Sequence, residues 1–160
     1  MPQVRIDETL NLHYELDDFT DPWTTPETML LIHGVADTSK AWFAWIPQLA
    51  RRFRVLRPDL RGFGQSTIPP REYQWSLAAL AKDLKNLLEQ LQIPSVHVVG
   101  QRVGGSVAMQ FAHDYPGNVK SLTVIGDRLK SPSDDFQRQA AGINGEGSPE
   151  GASTFGVGEH

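Results

Sequence analysis

Cysteine is absent from all 160 residues. That excludes a disulfide framework, a thiolate nucleophile and a sulfur-bound metal, and it leaves no hint of an oxidising compartment. No run approaches the ~20 apolar residues of a bilayer span, and Met1 to Thr9 lack the basic-then-apolar layout of a signal peptide. A cytoplasmic protein with no membrane partner is the expectation. A basic surplus is also missing: 15 Lys and Arg face 19 Asp and Glu, a formal charge of −4. Phosphate recognition needs cations gathered on one face, so no nucleic-acid partner is expected. The five arginines from Arg51 to Arg61 read as a solvated rim, two closing a helix where cations favour the dipole and the others flanking a strand.

The acidic surplus is not spread evenly. Residues 1–130 carry 14 acidic and 14 basic side chains, whereas 131–160 carry 5 acidic and only Arg138. The same last thirty residues hold six glycines, four serines and two prolines, with Phe136, Ile143, Phe155 and Val157 as the sizeable apolar groups. Such a segment buries too little surface to offset the entropy of ordering it. The expected organisation is therefore a folded core over 1–130 and a Gly/Ser-rich acidic tail over 131–160 without regular structure beyond a short helix.

Within the core, apolar runs at Met29 to Ile32, Phe53 to Leu56, Val96 to Val99 and Leu122 to Ile125 read as strands, each followed by Gly or Pro or by a turn. Between them lie helices. The clearest starts after Ser76 as N-cap and places Leu77, Leu80, Ala81, Leu84, Leu87, Leu88 and Leu91 on one face, with Pro94 just beyond. Others are predicted over Trp42 to Arg52 and Arg102 to Tyr115. Val4 to Ile6 and Asn11 to Leu16 form an antiparallel pair ahead of the first β-α unit. Strict alternation of strand and helix implies crossover units, hence an α/β fold with a mainly parallel, doubly wound sheet.

Three of these strands run into loops with distinctive punctuation: His33-Gly34, then Asp59-Leu60-Arg61-Gly62-Phe63-Gly64-Gln65-Ser66, then Gly100-Gln101-Arg102-Val103-Gly104-Gly105. Carboxyl ends of parallel strands are where open α/β sheets place ligands. The three motifs, in this order and spacing, resemble the N-terminal half of the α/β-hydrolase fold, in its esterase, enol-lactonase and haloperoxidase-like branch, over about residues 3 to 130. The resemblance implies a chain truncated after the strand that follows the third motif's helix, because the family's catalytic histidine and its usual acid come later. It also implies roles for particular residues. A tight strand-to-helix turn lifts the nucleophile above the sheet, and the next N–H together with one from the HG loop holds the oxyanion. Carried over, the nucleophile position is Arg102, the oxyanion donors are Val103 and Val35, His33 and Gly34 shape the substrate loop, Gly100, Gly104 and Gly105 are packing glycines, and Asp127 matches an alternative acid position.

Arg102 stands where the family has serine. A guanidinium stays protonated and offers no nucleophilic lone pair, so the expectation is a hydrolase-like protein impaired in acyl transfer. No displaced nucleophile motif replaces it, and Ser106 falls a turn inside the helix, where packing is its expected role. His13, His97 and His113 read as ordinary packed or surface residues, and His160 lies in the tail. No histidine and carboxylate spacing suggests a metal, and no cofactor is implied. Two other readings use Arg102 directly. With the N–H groups of Val103 and Gly104 it could clamp a carboxylate or phosphate in a small-molecule binding protein, or it could anchor a carboxylate substrate in a non-serine enzyme. The apolar edge at Leu122 to Ile125 invites self-association.

Overall fold

The computed structural model describes residues 2–126. The expectations for the tail, including His160, and for Asp127 lie outside the described residues. Strands β1 (Gln3–Arg5), β2 (Asn11–Asp17), β3 (Thr28–Ile32), β4 (Arg54–Pro58), β5 (Val96–Gln101) and β6 (Val119–Ile125) form one sheet in the order β1-β2-β4-β3-β5-β6. The first three in that order pair antiparallel, while β4, β3, β5 and β6 run parallel. This is the mainly parallel α/β architecture that the strand and helix alternation implies.

Alternation along the strands decides which side chains meet which layer. Leu30, Ile32, Leu56, Val96 and Val98 face one side and pack against α2 (Leu77–Gln90) and α3 (Val103–Asp114). Leu31, Val55 and Val99 face the other and pack against Trp42, Ile46 and Ala50. The N-cap of α2 is Ser76, whose Oγ accepts from the Ala79 N–H at 3.1 Å. Its buried stripe is Leu77, Leu80, Ala81, Leu84, Leu87 and Leu88. Among the described residues no helix is long and apolar enough to cross a membrane.

Two local expectations are corrected. The helix predicted over Trp42 to Arg52 is a 3-10 helix from Ser39 to Trp45 followed by the single turn α1 (Ile46–Leu49). Thr38 starts it early by accepting the Lys40 N–H on its hydroxyl at 3.2 Å, and Pro47, lacking an N–H, interrupts the α-helical ladder. The solvated-rim reading holds for Arg51 and Arg52 but fails for Arg57 and Arg61. Arg57 is buried against Asp17 at 2.7 Å, and Arg61 grips Asp83 through two hydrogen bonds of 2.8 and 2.7 Å. Strand β2 and helix α2 bring those carboxylates alongside, and a paired guanidinium tolerates burial where a lone one does not.

Candidate functional site

The loops after β3, β4 and β5 lie at one end of the sheet, and a network of buried polar groups ties them together. His33 is fully buried and uses both ring nitrogens: Nδ1–H donates to the Gly34 carbonyl at 2.7 Å, and Nε2 accepts from the Leu60 N–H at 2.9 Å. Burial pushes its pKa below the ordinary histidine value, so the ring is a neutral bracket between the first two loops. Asp59, buried at the end of β4, accepts from the Ser39 N–H at 2.7 Å, the Gln65 N–H at 2.9 Å and His13 Nδ1 at 2.9 Å. Burial alone would raise its pKa; the N–H groups of Ser39 and Gln65, with His13, outweigh that and hold it below the usual carboxylate range. Gly64 has φ +54°, and a Cβ there would meet Asp59 Oδ2 at 2.1 Å, so this loop needs glycine to close over the carboxylate.

The third loop is a turn of unusual backbone. Arg102, between β5 and α3, has φ 52° and ψ −125°, outside the regions open to residues with a Cβ. Such conformations cost about 1–3 kcal/mol and persist where the surroundings over-determine them. Here the Arg102 N–H donates to the Ile125 carbonyl at 3.0 Å, and its own carbonyl accepts from Gly105 at 2.8 Å. Glycines permit the approach of strand and helix. A Cβ on Gly100 would lie 2.2 Å from the Gly104 carbonyl oxygen, and one on Gly104 would lie 2.4 Å from the carbonyl oxygens of Ile32 and His33.

Arg102 is thus at the apex, exposed, with α3 beginning at Val103. Gly34 sits beside it: a Cβ on Gly34 would be 3.3 Å from the Arg102 Cβ. Gln101 Nε2 bridges to Asp37 Oδ2 at 3.2 Å, joining the first loop to the third. Among the described residues, the N–H groups of Val35 and Val103 make no hydrogen bond and Arg102 makes no ion pair. Arg102, Val103, Val35, His33 and Gly34 therefore all belong to loops at one end of the sheet.

The other histidines lie elsewhere or are engaged. His97 bonds Ser121 at 2.8 Å and Glu27 at 2.9 Å near the amino ends of β3 and β5. Hydrogen bonds from Lys120 and His97 hold the Glu27 carboxyl down to about 2. His113 is exposed in the last turn of α3, and Ser106 is buried within α3. Among the described residues no group of three His, Cys, Asp or Glu side chains is placed to hold a metal ion. The polar pair that sequence reasoning passed over is His13 with Asp59. Its one sequence-level signal was an aspartate opening the Gly-rich loop after β4.

The model of the α/β hydrolase fold family matches residues 27–152. A putative carbamate hydrolase of Caulobacter vibrioides is 32% identical over 127 residues, which are 78% of this chain and 45% of that protein. A hydrolase from Pseudomonas aeruginosa superposes with a TM-score of 0.77 at 27% identity, covering 91% of this chain and 53% of that one. A thermophilic esterase from Thermogutta terrifontis, with malate bound, gives 0.75 at 29% identity, with 90% and 53% covered. The chain spans about half the length of these relatives.

Proposed function

Because the chain belongs to the α/β hydrolase fold family, we propose that it presents the hydrolase scaffold with a site unable to form an acyl-enzyme. The observation that carries this reading is Arg102 at the strained apex between β5 and α3, the position that the motif resemblance assigns to the family's serine nucleophile. Val103 and Val35 are the oxyanion N–H groups in this reading, neither bonded among the described residues, with His33 and Gly34 shaping the loop that supplies the second. A protonated guanidinium has no lone pair for attack on a carbonyl. Among the described residues, no imidazole is free beside the apex to act as general base: His33 has both nitrogens engaged and His13 is held by Asp59.

The test is reactivity. Wild type should show no covalent labelling by a fluorophosphonate, and its turnover of p-nitrophenyl acetate should stay within the about 10³ to 10⁴ over water that oxyanion donors alone can supply. Arg102→Ser restores a hydroxyl but no base, so it should gain less than about tenfold in rate and still resist the label. Stoichiometric labelling of that variant would reveal a base and overturn the reading.

A second reading rests on the exposed guanidinium, which among the described residues makes no ion pair, beside two N–H groups that find no acceptor among those residues. That arrangement suits a small-molecule carboxylate, through charge-assisted hydrogen bonds; the similar esterase with malate bound supports it. The site would then bind a ligand, or would orient a carboxylate substrate for attack by a group other than serine. Malate should raise the melting temperature saturably in wild type and leave Arg102→Ala unshifted. An equal shift in both proteins would remove Arg102 as the anchor.

A further inference from the structure

The loops around the apex carry a second charge, opposite in sign to that of Arg102. Asp37 belongs to the loop after β3, three residues beyond Gly34, and is half-buried. Its Oδ1 accepts the Thr38 N–H at 3.0 Å and its Oδ2 accepts the Gln101 side-chain amide at 3.2 Å. Both donors are neutral, and among the described residues no cation pairs with Asp37. A carboxylate offers about four acceptor sites, so half of them and the whole charge are left for another partner.

Arg102 approaches the same loop. A Cβ on Gly34 would lie 3.3 Å from Arg102 Cβ and 3.4 Å from Arg102 Cδ, so the aliphatic stem of the arginine runs across Gly34. Gln101, the residue before Arg102, is the one that reaches Asp37. The loop after β3 therefore has a cation crossing it at Gly34 and an anion standing three residues along. The two do not pair with each other. Thr38 and Gln101 each hold one oxygen of Asp37, which fixes the carboxylate short of the guanidinium.

Electrostatics says what such a pair of charges selects. A simple carboxylate seated on Arg102 and on the N–H groups of Val35 and Val103 is attracted by the guanidinium and repelled by Asp37. A ligand that brings its own ammonium group turns that repulsion into a second ion pair. We propose that the site takes a zwitterion, an amino acid or a compound ending in the same two groups, with its carboxylate on Arg102 and its ammonium on Asp37. The inference rests on the carboxylate reading of Arg102 given above. Within that reading Asp37 determines specificity, because it favours amino acids and disfavours acids that lack the amine.

The experiment titrates the full 160-residue chain by saturation-transfer NMR at constant ionic strength. Glycine, β-alanine and 4-aminobutyrate are each compared with the acid of equal length that lacks the amine: acetate, propionate and butyrate. The three lengths sample the span between Arg102 and Asp37. At least one amino acid should bind wild type about tenfold tighter than its partner acid, the worth of one charge-assisted hydrogen bond. Asp37→Asn keeps an acceptor for Thr38 and Gln101 but drops the charge, so its circular dichroism and melting curve should match wild type. In that variant the preference should vanish and the partner acid should bind more tightly than it does to wild type, a gain that loss of a merely structural carboxylate would not produce. Arg102→Ala should weaken both members of the pair. Equal affinities within every pair in wild type, or a preference that survives in Asp37→Asn, overturn the zwitterion and leave the carboxylate reading standing. If no acid or amino acid binds wild type, or if Arg102→Ala binds both as well as wild type does, the carboxylate reading falls and the zwitterion with it.

Discussion

Replacing Gly104 by Ala is expected to cost about 3 kcal/mol of stability, the upper end of what a single overpacked methyl exacts. The added Cβ would stand 2.4 Å from the carbonyl oxygens of both Ile32 and His33. Those atoms lie at and just past the end of β3, where Ile32 pairs with Gly100 of β5 and the His33 ring is held by Gly34 and Leu60, so this main chain cannot step aside as a side chain would. The usual gain of about 1 kcal/mol for Ala over Gly inside a helix offsets part of the cost. Thermal unfolding followed by circular dichroism should show a fall of roughly 10 °C, scaling from the few degrees per kcal/mol typical of domains this size. Gly117→Ala is the control, since a Cβ there meets nothing within 4 Å. Equal melting temperatures for the two variants would mean that α3 does not rest on β3 as described.

Asp59→Ala is expected to lose at least about 3 kcal/mol, because an orphaned buried donor costs about 1–3 kcal/mol and three donors lose their acceptor together. Those donors are the N–H groups of Ser39 and Gln65 and the ring of His13, each at 2.7–2.9 Å. The carboxylate also sets an acid dependence. Its pKa in the folded state lies below the ordinary value of 3.8, so the stability it contributes is fully present above that value. It drains away as pH falls through the folded value. Urea titrations at pH 6 and pH 3 should show wild type losing more stability on acidification than Asp59→Asn, which retains an acceptor but no charge. An identical acid loss in both would assign that loss to other carboxylates.

Much of this architecture is legible in the chain because its signals are local. Ser76, followed by leucines at helical spacing, specifies α2, and the glycines flanking Arg102 mark the turn. A Cβ at Gly100 or Gly104 would collide with backbone, so the spacing reports a contact rather than a preference. The 3-10 helix at Ser39 to Trp45 was also written locally, in Thr38 and Pro47, but apolar periodicity over Trp42 to Arg52 masked it. What cannot be read locally are partners that only the sheet brings together. His13 meets Asp59 across 46 positions because β2 pairs antiparallel with β4, with Tyr14 opposite Pro58. Arg61 meets Asp83 because α2 packs back over the loop. Net charge and arginine clustering gave no sign of either burial.

The hydrogen bond from the Arg102 amide to the Ile125 carbonyl makes β6 part of the support of the apex, since Ile125 also packs on the apolar layer around Leu31, Trp42 and Val99. The strained turn is thus propped from the neighbouring strand as well as by its own glycines, and a substitution at Ile125 that shifted that carbonyl would be felt at the Arg102 peptide.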